Sequence, residues 1–212
     1  MPTTDALQDL LIDELRDAYD AEKQLAKALR SMSRTAQSEE LKEALTSHLE
    51  ETNGHVEILE SVFETLEVKP RGKHCAGIAG IITEGNEHTA EADEDVRDLV
   101  LIAGARRAEH YEMAAYMILV DLATAIGNED IAGQFQTILE EEMAAEDALA
   151  ELARSLVAMG DEEGEAEEEG GDEEEGDEED EASDEDSEAP KSASGSSRGG
   201  RSGAAPRKTR RS

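Results

Sequence analysis

Residues 108–116 read AEHYEMAAY and residues 138–149 read ILEEEMAAEDAL. Both stretches lie inside long windows with a helical apolar period. One window runs Leu99, Ile102, Arg106, Glu109, Met113, Tyr116, Val120; the other runs Ile131, Phe135, Ile138, Glu142, Ala145, Leu149, Leu152, Leu156. A core stripe is ordinarily apolar, yet each of these is interrupted at its middle by a carboxylate. A buried, unpaired carboxylate costs so much that it normally finds a cation or a metal. Glu109 and Glu112 stand at i, i+3, one turn apart on one face, and Glu142 and Glu146 share a face at i, i+4.

Two more windows of the same kind lie upstream. The first runs Leu11, Leu15, Ala18, Glu22, Leu25, Leu29, Met32, opened by a cap at Thr4 or Asp5. The second runs Leu41, Leu45, His48, Glu51 or Thr52, His55, Leu59, Val62, Leu66, with Ser38 as its cap and Pro70 beyond its end. Ala, Leu and Glu abound, and the chain holds only two Phe, three Tyr and no Trp. The composition predicts an all-α protein. Turns near Ala36 and Gly127 make two antiparallel hairpins of helices about 30 residues, or roughly 45 Å, long. The segment 68–94 is too long for a turn, and Ile78, Ile81 and Ile82 predict a short helix within it. It is expected to travel the length of a four-helix bundle as a single long crossover.

The register of the carboxylates is the strongest signal. Glu22 and Glu51 stand 14 and 15 residues from Ala36, and Glu112 and Glu142 each stand 15 from Gly127. Each is therefore roughly 22 Å from its own turn. With the crossover placing the turns at opposite ends, all meet at mid-height. The expected ligands are Glu22, Glu51, His55, Glu109, Glu112 and Glu142, holding two divalent ions bridged by Glu22 and Glu112. Hard carboxylate oxygens with one or two imidazoles suit iron or manganese. His48 fits either a ligand or a core histidine, and Glu146 is left open as a ligand. His110 reads as a partner of the site or a surface residue, Glu84 and His88 as groups that can cap it, and Tyr19 and Tyr116 as packing near the centre, with donation to a bridging carboxylate or a transient radical as the alternatives.

The segments AYDAEKQLAKAL (18–29), HLEETNGHVEILE (48–60), KHCAGIAGIITEGNE (73–87), AEHYEMAAY and ILEEEMAAEDAL, in this order, resemble the ferritin-like family of the bacterial stress-response proteins YciE and YciF. The resemblance covers roughly residues 5–158. It implies a ferritin-like bundle, a homodimer, a di-metal site and a role in stress response. Ferritin-like proteins such as rubrerythrin carry Glu, Glu-x-x-His, Glu-x-x-Glu and Glu-x-x-His on their four helices. Here Glu22 and the Glu109, Glu112 pair fit. The second helix departs, since Glu50 and Asn53 keep the spacing without the imidazole while Glu51 and His55 are four apart. The fourth has Ala145 or Glu146 where a histidine is expected. Fewer imidazoles predict a more anionic, oxygen-rich centre.

The bundle is expected to fill residues 1–159, with Gly160 ending the fourth helix. An acidic segment, 160–189, and a basic one, 190–212, follow; neither contains a large apolar residue, so both are expected to be disordered. An oxidoreductase using peroxide or oxygen is one function class, without assigned catalytic residues. The alternative is a structural or interaction protein whose seven basic tail residues engage nucleic-acid phosphates weakly, by charge alone. Cys75 is the only cysteine, which excludes an intrachain disulfide and a thiolate cluster. The N-terminus lacks a basic region before its apolar residues, and no apolar run reaches membrane-spanning length, so a cytoplasmic protein with no membrane contact is expected.

Charge is uneven along the chain but acidic throughout most of it. Residues 1–160 hold 34 Asp and Glu against 13 Lys and Arg, a net −21, and residues 161–212 hold 20 against 7, a net −13. Such a surface repels anionic partners, and its self-repulsion is relieved by screening ions. The melting temperature is expected to rise from low salt to molar KCl; thermal melts at the two salt levels check this, and indifference to salt contradicts it.

Overall fold

A computed structural model describes residues 2–168, with side chains through Ala158. The remainder of the acidic segment and the whole basic segment, 190–212, lie outside the described residues. Five α-helices follow in order: α1 (Thr4–Thr35), α2 (Glu39–Thr65), α3 (Ala76–Glu91), α4 (Arg97–Ala125) and α5 (Glu129–Glu168), with a 3-10 turn at Glu94–Val96 before α4. No strand occurs among the described residues, and no helix there is long and apolar enough to cross a membrane.

The helix ends have local causes. Thr3, rather than Thr4 or Asp5, caps α1, its Oγ1 accepting from the Ala6 N–H at 3.3 Å. Ser38 caps α2 by accepting from Leu41 N–H at 3.1 Å, and Asn128 Oδ1 accepts from Ile131 N–H at 3.2 Å at the start of α5. Gly127 makes the α4–α5 turn at φ 78°, a conformation that a glycine adopts without penalty. The α5 helix runs eight residues past Gly160, where the sequence alone suggested a stop. A glycine inside a helix costs only about 1 kcal/mol relative to alanine, and the following Asp161–Glu168 holds five Glu and an alanine with one further glycine, Gly164, and no proline.

Helices α1, α2, α5 and α4 form a ring in that order, and α3 packs outside it on α1 and α4. The crossover 66–96 carries the chain from the end of α2 to the start of α4. Asp98 fixes that start: its buried carboxylate accepts from the N–H groups of Gln37 and Ser38, each at 2.8 Å, in the α1–α2 turn. The α1–α2 turn therefore shares one end of the bundle with the start of α4. At the other end, Thr4, Thr65 and Leu66 gather around Gly127. The entry of α3 is fixed against Tyr111, whose ring leaves no room for a Cβ at Gly77: an added one would stand 2.5 Å from Tyr111 Cε2.

Two apolar layers fill the ring. One holds Leu11, Leu15, Leu59, Phe63, Tyr116, Phe135 and Ile138; the other holds Leu29, Leu41, Leu45, Ile102 and Leu149. On every helix of the ring, the ionisable residues of the core stand in sequence between members of the two layers. Replacing Asp98 by Ala removes both charge-assisted hydrogen bonds that tie the start of α4 to the α1–α2 turn. Each such bond is worth roughly 1.5–3 kcal/mol, discounted here because water can reach the freed N–H groups. Asp98→Ala is expected to lower unfolding stability by about 2 kcal/mol, measured by denaturant unfolding, while Asp95→Ala on the exposed 3-10 turn leaves it within about 0.5 kcal/mol.

Candidate metal centre

Six buried ionisable side chains converge between the layers: Glu22 from α1, His48 and His55 from α2, Glu109 and Glu112 from α4, and Glu142 from α5. Each is at most 6% exposed. They form two overlapping groups, His48 with Glu109, Glu112 and Glu142, and Glu22 with His55 and Glu142, in which the donor atoms lie within 4.8 Å of one another. Glu142 is the member common to both, whereas the sequence suggested Glu22 and Glu112 as the shared pair.

Five of the six residues expected from the sequence are thus brought together, and Glu51 is not. Its side chain is 43% exposed. The inward α2 stripe passes through Thr52 instead, whose hydroxyl donates back to the His48 carbonyl at 2.7 Å. The place left by Glu51 is filled by His48, one turn earlier, so the centre holds two imidazoles rather than one. Glu51 stands behind this imidazole, its Oε2 3.3 Å from His48 Nδ1, and Glu141 stands behind His55 in the same way, 2.8 Å from Nε2. Each ring is oriented by a carboxylate on its outer nitrogen and turns the inner nitrogen toward the centre. That arrangement is the usual support of a metal-bound imidazole. Tyr116, buried, donates its hydroxyl to Glu22 Oε1.

The remaining candidates sit elsewhere. Glu146 pairs with Arg106, Nε 2.7 Å from Oε1, and approaches the exposed His110 at 3.4 Å. Glu84 and His88 are exposed on α3, and Tyr19 donates to Glu60 at 2.6 Å away from the centre.

Polar contacts among the six are close but poorly directed. His48 Nε2 lies 3.2 Å from Glu109 Oε2 and 3.5 Å from Glu142 Oε2; His55 Nδ1 lies 3.1 Å from Glu142 Oε1 and 3.4 Å from Glu22 Oε1. Both imidazole nitrogens are nonetheless without a hydrogen-bond partner of acceptable geometry. So are Glu22 Oε2, both oxygens of Glu109, Glu112 Oε1 and both oxygens of Glu142. Eight orphaned donor or acceptor atoms in one place are far outside what a native interior leaves unpaired without reason. Their chemistry, carboxylate oxygen with imidazole nitrogen, fits one or two divalent ions of the iron and manganese type.

Without an ion, protons must balance these charges. Burial raises the Glu112 pKa well above the usual carboxylate range, reinforced by Glu22, Glu142 and Glu109. Burial also raises Glu22, moderated by His55, and lifts Glu142 from 4.5 to about 7. Burial alone would lower the imidazoles, but Glu109 and Glu142 hold His48 at about 9, and Glu142 and Glu22 hold His55 at about 11. All five groups bind protons more tightly in the folded state than in the unfolded one. The stability they contribute is present at low pH and is lost as pH rises from about 4.5, where Glu142 begins to titrate in the unfolded chain, through about 9 and 11, where His48 and His55 deprotonate in the folded one. Exposed carboxylates are already ionised above pH 6. The melting temperature of metal-free protein at fixed high salt is therefore expected to fall between pH 6 and pH 9. A Glu112→Gln, Glu142→Gln double variant should flatten that slope, and an equally steep slope in the variant contradicts the assignment.

A family described as "Domain of unknown function (DUF892)" matches residues 6–160. The chain is 39% identical to protein YciF of Escherichia coli (strain K12) over 149 residues, which cover 69% of this chain and 90% of YciF. The solved structure of the Escherichia coli stress protein YciF superposes with a TM-score of 0.69 at 38% identity, covering 74% of this chain and 99% of that one. The structure of YcfI from Rhodopseudomonas palustris gives a TM-score of 0.66 at 43% identity, covering 68% and 92% of the two chains. A protein of Xanthomonas campestris, 23% identical with a TM-score of 0.60, shares the fold. With its match spanning most of the bundle and a relative this similar over nearly its full length, the chain belongs to the DUF892 family of YciF-like proteins.

Proposed function

We propose that this chain is a ferritin-like carboxylate protein that holds two divalent ions, iron or manganese, and acts under oxidative stress. The observation that carries the reading is the set of eight unpartnered polar atoms on six buried residues. The donor count supports it too. Di-metal carboxylate bundles use four glutamates and two histidines, and Glu22, Glu109, Glu112, Glu142, His48 and His55 supply that number with both imidazoles moved to α2. The YciF relative is described as a stress protein, which supports the physiological context.

Two bound redox-active ions supply Lewis acidity and electron exchange toward oxygen or peroxide. The chain's own residues supply position and dryness. Glu142 serves both groups, Glu51 and Glu141 hold the imidazoles, and Tyr116 holds Glu22 through its hydroxyl. The layers on either side keep bulk water out, which strengthens every charge interaction between them.

Elemental analysis of protein purified without added metal is expected to find roughly two iron or manganese ions per chain, as a centre with this donor count implies. Because ion binding requires deprotonated ligands, the gain in melting temperature on metal loading should be clearly larger at pH 8 than at pH 5.5. Glu112→Gln, Glu142→Gln should abolish both the bound metal and the gain. Fe(II)-loaded protein is expected to consume peroxide, and full occupancy without turnover would sink the redox reading while leaving the metal one intact.

A further inference from the structure

The centre is closed above and below by apolar layers, so an ion has to reach it through a side of the bundle. Two openings touch its ligands. Between α1, α3 and α4 lies a narrow cleft of about 30 Å³, lined by Leu25, Leu29, Ile82, Gly104 and Glu109. Between α2 and α5 lies a much larger cavity of about 270 Å³, lined by His48, Glu51, Glu141, Ala144, Ala145 and Ala148 among others.

These openings differ in what they can pass. A divalent cation gives up its hydration only in exchange for other oxygen or nitrogen ligands. The first cleft is mostly apolar, with Asn86 and Thr89 as the polar residues beside Glu109, and has room for little more than one or two waters. The α2–α5 cavity has room for several waters, because alanines line it where longer side chains would fill it. At the cavity stand two carboxylates whose side chains are each 43% exposed, Glu51 and Glu141. Each also touches an imidazole of the centre, 3.3 Å to His48 and 2.8 Å to His55. His48 joins the two compartments. It lines the cavity, is 6% exposed, and its unpartnered Nε2 stands 3.2 Å from Glu109. Oxygen and nitrogen donors therefore run without a gap in kind from solvent to the centre along this seam.

We propose that divalent cations enter the centre through the α2–α5 seam, captured first by Glu51 and Glu141 and passed inward beside His48. Rested on the two-ion reading above, this gives the two outer carboxylates a second task besides orienting the rings. Their half exposure leaves each one open to a hydrated cation arriving from solvent.

Rapid mixing of metal-free, full-length protein with Co(II), followed by the visible absorption of the ligated ion, separates rate from capacity. The parent is expected to fill completely. Ala145→Leu, Ala148→Leu fills the seam and should slow filling while leaving the final absorption unchanged. Glu51→Gln, Glu141→Gln keeps the shape and should slow filling by roughly tenfold and weaken its dependence on ionic strength, as loss of electrostatic focusing does. Ala28→Leu, in the apolar cleft, should leave the rate unchanged. No Co(II) bound by the parent overturns the two-ion reading. Full binding by the parent, with unchanged rates in both double variants, overturns the entry route alone. So does slowing by Ala28→Leu, or a loss of final absorption with no change in rate. Should the leucine pair fail to fold, the glutamine pair carries the test by itself.

Discussion

The rest of the structure depends on the mutual repulsion and desolvation of four glutamates held between two apolar layers. Charge at that depth is tolerated only if something positive is brought to it. Two imidazoles from α2 are the chain's own contribution, and protons or metal ions must supply the remainder. This requirement explains features that otherwise look unrelated. Glu112 and Glu142 each stand 15 residues from the turn at Gly127, which puts both at one level between the apolar layers. The layers themselves are dense in Leu, Phe and Ile and contain no other carboxylate.

The crossover completes the arrangement on one side only. Helix α3 covers α1 and α4, anchored by Ile78 and Cys75 against Ala21, Leu25 and Ala108. Its start is held by Asp20, whose Oδ2 accepts from Cys75 N–H at 2.9 Å, and by Tyr111 packed over Gly77. At its far end, Asp98 secures α4 to the α1–α2 turn. Helices α2 and α5 are covered by no helix among the described residues. The two imidazoles they carry, His48 and His55, are therefore the ones that meet the outer carboxylates Glu51 and Glu141 on their solvent side.

Most of the fold was legible because helical period and turn spacing are local quantities. Glu22, Glu109, Glu112 and Glu142 could be found from register alone, since each replaces an apolar residue in the middle of a stripe. On α2 the same reasoning had two adjacent choices, Glu51 and Thr52, and neighbours on a helix differ by about 100° in direction. Chemistry favoured the glutamate, but packing turned the threonine inward. The signal that finds the right answer is the pair His48 and His55, seven residues and nearly two full turns apart and thus on one face. Asp98 was hidden for a different reason: its partners are backbone groups 60 and 61 residues away, and no local pattern announces a long-range cap. The end of α5 was misjudged because a single glycine carries too small a cost to stop a helix by itself.

The spacing on α2 also fixes which carboxylate is shared. Seven residues set the two Cα atoms about 10.5 Å apart along the helix axis, so the two imidazoles enter the centre at different heights. A carboxylate lying between them on the facing helix can meet both. Glu142 does so, with Oε2 3.5 Å from His48 and Oε1 3.1 Å from His55. Glu22 reaches only the His55 side, and Glu109 only the His48 side. Two separate positions with one common carboxylate follow from the α2 register, and Thr52, small and bonded back to the His48 carbonyl, keeps the space between the rings free of any competing ligand.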